Sequence, residues 1–363
     1  MSLTATLDAA GLLGRGGAAF HTATKVAAAH DHGADLIVNA CDGEVGARKD
    51  GWVVAHHLED LMRGAALVAP GRRRRVRVAA HRGSETARLL RGAGVPLLEV
   101  PDRYVSSEES ALVSRAHGGL ARPLTKHRPV VHGVRGESGR TLPKTVVLNA
   151  ETVWRVAQVH DHGPEWFRSF GTPDEPGPRL VTLTGAVGRP GVVETQAGVP
   201  VRDLLATAAV PSDVEHVLVG GLSGVLLTAD EARWARWATP DLRRFGGALG
   251  PGVLEVFDVR ECPLDVVTRY LDYAAGETAG QCGPCMFGVP SLAGAWRSTV
   301  ETPDPGAVAE VRRLAGLLPN RGACRYPDGV GRFALGALRV LEPHLAAHAA
   351  GPCPSEGVTA RVR

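Results

Sequence analysis

The sequence predicts an α/β protein: a parallel sheet with helices packed on it, then a small α+β segment, then a helical C-terminal region. Three observations carry this. Over residues 1 to about 165, strand-like apolar runs alternate with helical stretches. A Gly/Pro-rich break, Gly171-Thr172-Pro173-Asp174-Glu175-Pro176-Gly177-Pro178, ends that pattern. From about residue 262 the periodicity is helical, and five of the six cysteines lie there.

In chain order, Leu7 to Leu12 reads as a helix and leads into a loop of small residues, Leu13 to Phe20. Ala34 to Asn39 is the first strand, followed by a helix around His56 to Val68. A second strand at Val76 to Ala80, a helix at Ser84 to Arg91 and a short run at Pro96 to Val100 come next. Strands separated by helices of that length indicate a parallel sheet. Beyond the Gly/Pro break come Leu180 to Thr184, a Gly188-Arg189-Pro190-Gly191 turn, Val192 to Thr195, a helix at Val201 to Ala209 and Val217 to Val219. Strand, hairpin, helix and strand in so short a stretch suggest a small α+β domain.

Composition excludes several classes. At 363 residues, 44% hydrophobic and 22% charged, the chain has the make-up of a soluble globular protein of two or three domains. A net charge of +3 is too small to argue for nucleic acid. The run Arg72 to Arg75 reads as a turn after Pro70-Gly71 feeding the Val76 strand, since no aromatic residues interleave it. No apolar run approaches eighteen residues and Met1-Ser2-Leu3-Thr4 lacks a signal pattern, so a cytoplasmic protein without membrane insertion is expected. Six irregularly spaced cysteines then read as thiols or ligands, not disulfides.

Cys282 and Cys285 form a Cys-x-x-Cys pair, and Cys324 follows later in Gly322-Ala323-Cys324. This spacing fits an iron-sulfur cluster, a zinc ion or a redox dithiol, and it supplies three ligands where four are usual. His344 and His348 have a zinc-like His-x-x-x-His spacing but lie far from Cys285. At the other end, Gly14-Arg15-Gly16-Gly17-Ala18-Ala19 formally contains the dinucleotide fingerprint, yet that fingerprint must follow a strand and here follows a helix. What remains is either a loop whose backbone can approach an anion, with Lys25 as counter-charge, or a loop that is glycine-rich merely to turn. Only four of the 41 basic residues are lysines: Lys25, Lys49, Lys126 and Lys144. Where arginine serves the surface so consistently, the retained ammonium groups are candidates for phosphate or carboxylate partners.

These motifs, taken in order, resemble the flavin-carrying, NADH-oxidising subunit of respiratory complex I and its relatives in hydrogenases and formate dehydrogenases. Gly14 to Phe20 with Lys25 is similar to GRGGAGF…K, and Asn39-Ala40-Cys41-Asp42-Gly43-Glu44-Val45-Gly46 with Lys49-Asp50 to NADEGEPG…KD. Ser107 to Leu112 resembles GEETAL, and Thr145 to Thr152 resembles TVVNNVET. Leu183-Thr184-Gly185 with Arg189 to Glu194 resembles the family's small ubiquitin-like domain. Gly246 to Gly250 resembles GSMLG and Glu277 to Cys285 resembles ESCGKCTPC, with Cys324 where the last cluster ligand falls.

The resemblance implies a Rossmann-like FMN domain over residues 1–168, a ubiquitin-like (SLBB-type) domain over 178–240 and a helical iron-sulfur domain over 250–350. Gly14, Arg15, Gly16, Gly17 and Lys25 would hold phosphate, with Phe20 against the nucleotide. Asn39, Asp42, Glu108, Glu109, Asn149 and Thr152 would serve the flavin, while Glu44 and Lys126 would sit near the nicotinamide. Cys282, Cys285 and Cys324 would hold the cluster, as 4Fe-4S or 3Fe-4S. The implied activity passes electrons from NAD(P)H through flavin and cluster to a protein acceptor such as ferredoxin, within a complex. The alternative is an electron-transfer or assembly module that no longer oxidises nicotinamide.

The departures from the family pattern are specific. Ala279 stands where the family has its first cluster cysteine, leaving Cys262 and Cys353 as thiols that could replace it. Ala28 and Pro129 occupy positions where aromatic rings are expected to stack on NADH, and Cys41 and Leu148 replace polar residues expected near flavin. A thiol at position 41 would either tune the flavin or simply pack.

Overall fold

The computed structural model describes residues 1–71, 75–125, 129–210, 214–351, 353 and 355. They form two compact units, one of residues 1–182 with 192–198 and the other of residues 183–191 with 199 onward.

The first unit begins with α1 (Leu3–Ala10), capped by the Ser2 hydroxyl and stopped by Gly11 in the left-handed region at φ 66°. Next come α2 (Thr22–His32), β1 (Asp35–Asn39), α3 (Lys49–His56), α4 (Leu58–Val68), β2 (Val76–His81), α5 (Glu85–Gly92), β3 (Leu97–Val100), α6 (Glu109–Ala116), β4 (Thr145–Asn149) and α7 (Ala150–Arg168). The helix expected around His56 to Val68 is α4, and the unexpected α3 before it is broken from it at His57, which leaves helical geometry at φ −136° and stacks on Trp154 with ring centroids 4.2 Å apart.

The strands β1 to β4 pair in parallel, in the order β3-β2-β1-β4. The sheet is covered on both faces. Leu36 and Val38 join one core cluster with Val78, Ala80, Val146 and Leu148, while Ile37 joins another with Ala79, Val147 and Leu98. Alternate residues therefore serve opposite faces, which explains why the strands read as continuous apolar runs. The Gly171 to Pro178 run packs into this unit, where the Gly171 N–H donates to the Gln196 side chain at 2.9 Å.

The chain leaves the first unit within β5 (Pro178–Gly185) and returns for most of β6 (Gly191–Gln196). In the second unit follow α8 (Val201–Thr207), β7 (His216–Val219), β8 (Val225–Thr228), α9 (Ala229–Trp234), α10 (Thr239–Leu242) and β9 (Val253–Val256). β7 lies antiparallel between β8 and β9.

The helical region has α11 (Pro263–Gly276), α12 (Val289–Glu301), α13 (Pro305–Leu317) and α14 (Tyr326–Ala350). α11 and α14 run antiparallel: the Tyr326 hydroxyl at the start of α14 donates to the Ala274 carbonyl near the end of α11 at 2.8 Å. Midway, Tyr270 packs on Phe333 with centroids 5.4 Å apart. Buried Trp296 of α12 ties its indole N–H to Thr268 of α11 at 3.1 Å. Among the described residues no helix is long and apolar enough to cross a membrane.

Candidate functional site

In the first unit the chain moves from β1 to β2 and β3 on one side, then returns on the other side as β4. The crevice outside the carboxyl ends of β1 and β4 is thus the topological switch point, where open α/β sheets take ligands. Asn39 and Asn149 end these strands and are register partners. Asn39 accepts the Cys41 N–H at 3.1 Å and donates to the Ser107 carbonyl at 2.9 Å. Asn149 donates to Asp50 at 2.6 Å and accepts from the Lys49 ammonium at 3.0 Å.

The glycine loop lies over Asn149. A Cβ added at Gly16 would sit 3.3 Å from that of Asn149, so a side chain there would crowd the crevice. The loop closes through the Gly14 N–H to the Phe20 carbonyl at 2.8 Å, and its turn uses positive φ at Gly17 (101°) and Ala19 (48°). Thr152 anchors it by accepting the Arg15 N–H at 2.8 Å. Gly16, Ala18, Ala19 and Phe20 remain exposed.

Arg15 was expected beside a cofactor phosphate. Its guanidinium is instead buried and donates to the Pro176 and Pro178 carbonyls at 2.8 and 3.3 Å, bracing the strand entry of its own unit. Lys25 and Glu109, both expected at the ligand, pair with each other at 2.8 Å, and Lys25 also donates to the Val147 carbonyl at 3.1 Å. Half-exposed Phe20 has its ring centroid 5.9 Å from that ammonium. Glu108 caps α6, accepting the Ser110 and Ala111 N–H groups at 2.7 and 3.1 Å. Glu44 is held by the Tyr104 hydroxyl at 2.7 Å. Lys126 lies outside the described residues.

Beneath the crevice is a buried charge cluster around Lys49, one of the four lysines expected to meet phosphate or carboxylate partners. Lys49, only 1% exposed, reaches Asp50 at 2.9 Å and Glu151 at 3.1 Å. Burial works against its ammonium, but Asp50 and Glu151 more than offset this and raise its pKa. Burial would likewise raise Glu151, yet Lys49 and Arg155 hold it below its ordinary value. Asp42 takes a left-handed φ of 48° and accepts the Asp50 and Gly51 N–H groups at 2.9 and 2.7 Å. Burial, and then the facing Asp50 carboxylate, push Asp42 up to about 7. The rarity of lysine pointed to Lys49, and its partners are the carboxylates Asp50 and Glu151.

Cys41 is buried in the apolar cluster with Ile37 and Val147, and burial raises its pKa, so it packs as an inert thiol. Ala28 packs against the other core, and Pro129 precedes a short turn at Val130–His132.

In the second unit, Cys282 and Cys285 have hydrogen-bonded thiols, and the backbone N–H groups of Ala279 and Gly280 point at the Cys285 sulfur. Burial pushes Cys285 up to about 11. Two adjacent thiols with backbone donors on one of them fit iron-sulfur ligation, because N–H donors stabilise a cluster-bound thiolate. Cys324 lies in the turn leading into α14, which packs on the Pro284–Gly288 turn that carries Cys285. Ala279, which the resemblance sets at the family's first cluster cysteine, carries only a methyl side chain. Cys262 does not replace it: it caps the far end of α11, whose 14 residues separate it from Cys282 by about 20 Å of helix. Cys353 lies beside His344, at that same far end.

Residues 7–158 match the Nuo51 FMN-binding domain family, and residues 265–348 match the NADH-ubiquinone oxidoreductase-F iron-sulfur binding region. A match to an FMN-binding-domain family is thus followed along the chain by a match to an iron-sulfur-binding region. The F subunits of NADH-quinone oxidoreductase and a hydrogenase diaphorase subunit are its homologues. The F subunit of NADH-quinone oxidoreductase from Mycobacterium tuberculosis is 29% identical over 383 aligned positions, covering 95% of this chain and 84% of its own. The alpha subunit of the NAD-reducing hydrogenase HoxS of Cupriavidus necator is 27% identical over 305 positions, covering 76% of this chain and 48% of its own. A crystal structure of an NAD+-reducing NiFe-hydrogenase in the air-oxidised state superposes with a TM-score of 0.81 at 26% identity, covering 99% of this chain and 66% of the hydrogenase chain. The chain therefore spans just under two thirds of that hydrogenase chain and about half of the HoxS alpha chain.

Proposed function

We propose that this chain is an FMN-dependent oxidoreductase subunit that takes electrons from NAD(P)H and passes them through an iron-sulfur centre to a protein acceptor such as a ferredoxin. The observation that carries this reading is the Asn39–Asn149 register pair at the switch point, overlaid by the glycine loop. Bound FMN would supply chemistry that accepts a hydride as an electron pair and yields electrons singly. Gly16 and its neighbours leave backbone accessible to the phosphate, and Lys49 with Asp50 fixes the orientation of the Asn149 amide before any ligand arrives. Asp42, titrating near neutrality, holds or releases a proton beside the crevice. Glu44, fixed by Tyr104, positions the nicotinamide. Cys282, Cys285 and Cys324 hold the cluster.

The finer domain division follows from the same reading: FMN domain at 1–168, SLBB-type domain at 178–240 and cluster domain at 250–350. All six cysteines are free thiols, which suits a reducing cytoplasm. The relatives are subunits of larger enzymes, and this chain is proposed to work in a complex as well.

One observation favours a second reading, an electron-transfer or assembly module without nicotinamide oxidation: Ala279 leaves the cluster site one thiolate short. Loading the purified chain with FMN and mixing it anaerobically with NADH or NADPH separates the two. Rapid bleaching of the flavin by either nucleotide supports the oxidoreductase. Bound flavin that neither nucleotide bleaches removes it in favour of the module.

A further inference from the structure

At the end of the α11/α14 pair remote from Cys282 and Cys285, four metal-binding side chains converge. Cys262 caps the start of α11, His344 and His348 lie one turn apart near the end of α14, and Cys353 follows that helix. The Cys262 sulfur is 3.6 Å from Nε2 of both histidines, and the Cys353 sulfur is 3.6 Å from Nε2 of His344. One ligand atom from each of the four lies within 4.8 Å of all the others, and every one of these residues is partly buried. Among the described residues this is the only such group of His, Cys, Asp or Glu.

We propose that Cys262, His344, His348 and Cys353 form a structural zinc site, separate from the iron-sulfur centre. Zinc–sulfur and zinc–nitrogen bonds of about 2.3 and 2.05 Å at a tetrahedral angle place sulfur and nitrogen about 3.6 Å apart, the separation found at all three measured edges. A two-iron centre of Rieske type also uses two cysteines and two histidines, but puts them on different irons and so spreads sulfur from nitrogen well beyond the edge of one tetrahedron. The N–H groups of Leu264 and Asp265, at the start of α11, point at the Cys262 sulfur, as outer donors do around a metal-bound thiolate.

Charge also balances: two thiolates and two neutral imidazoles around a divalent cation leave no net charge in a half-buried place, and the two thiol protons leave as zinc enters. With all four positions filled by protein, the ion has no open coordination site, so its role is to fasten the chain beyond α14 to the start of α11.

The test uses the full chain, purified without iron or sulfide. Metal analysis is expected to find about one zinc per chain, with X-ray absorption reporting two sulfurs at about 2.3 Å and two nitrogens at about 2.0–2.1 Å. The double variant Cys262→Ser/His348→Ala is expected to lose at least about tenfold in zinc affinity, while Cys282→Ser/Cys285→Ser keeps the zinc. If the first variant does not fold, Co(II) added to the zinc-free wild-type chain still decides. Strong visible bands of tetrahedral cobalt-thiolate with two sulfurs support the site. A pale octahedral spectrum, no binding, a three-sulfur shell, or zinc lost with Cys282 and Cys285 overturns it.

Discussion

The crevice of the first unit and the cysteine turn of the second carry the same family likeness but are completed differently. In the crevice, Lys49, Asp50, Asn149 and Glu151 satisfy one another, so the arrangement exists before any ligand binds. At Cys282 and Cys285 the neighbours supply backbone donors but only a methyl group at Ala279, so completion depends on what is loaded there. A site built from mutually paired charges is tied to folding stability. A site built from thiols that only a metal would complete would not be, and could lose a ligand while its helices remain.

This contrast sets the order of expected effects. Lys49→Met leaves buried Asp50 without its cation and Glu151 with only the more distant Arg155, and should cost about 3–5 kcal/mol in urea unfolding of the flavin-free chain. A loss within experimental error would mean that the cluster does not support the fold.

Asp42 gives the next effect, and its sign is fixed. Its folded pKa of about 7 lies above the ordinary 3.8, so the folded state holds the proton more tightly. Its contribution is complete below the ordinary value and disappears as pH rises through 7, by up to roughly 4 kcal/mol. Unfolding at pH 5 and pH 8 should show this decline in wild type and a flatter profile in Asp42→Asn. Parallel profiles would show that Asp42 does not titrate with a raised pKa in the folded chain.

Gly16→Val fills the space over Asn149 and should weaken FMN binding at least tenfold, about 1.4 kcal/mol, with little change in the stability of the flavin-free chain. Unaltered fluorescence titration with FMN would place the ligand elsewhere. Smallest in stability is Ala279→Cys, expected within about 0.5 kcal/mol of wild type. Its effect falls on metal content: if wild type holds a three-iron cluster after reconstitution, the variant should hold four irons. A variant with no more iron than a three-iron wild type would show that residue 279 does not face the cluster.

Much of the fold was legible because strand and helix periods are local. β1, β2 and β3 fall where the apolar runs indicated, and Cys262 does open α11. The helix α3 and its break from α4 were not legible, since the break depends on His57 meeting Trp154 nearly a hundred residues later. The site divides in the same way. Asn39 and Asn149 could be named from motifs, but whether a charge points at a ligand or at a neighbour is decided by packing. Arg15 went to the Pro176 and Pro178 carbonyls, Lys25 to Glu109 and Glu108 to the N-terminus of α6. Convergence of Cys262 and Cys353 on His344 and His348 was hidden by the 82 residues between Cys262 and His344, which only the antiparallel helices bring together.

The proposed route takes electrons from the crevice to an iron-sulfur centre that lacks one thiolate. The direct measurement is electron paramagnetic resonance of the chain loaded anaerobically with FMN, iron and sulfide, then reduced by NADH or NADPH. The account predicts a change in the cluster signal with at least one nucleotide and its loss in Cys285→Ser. A cluster that dithionite reduces but neither nucleotide does, or no cluster after loading, would contradict it.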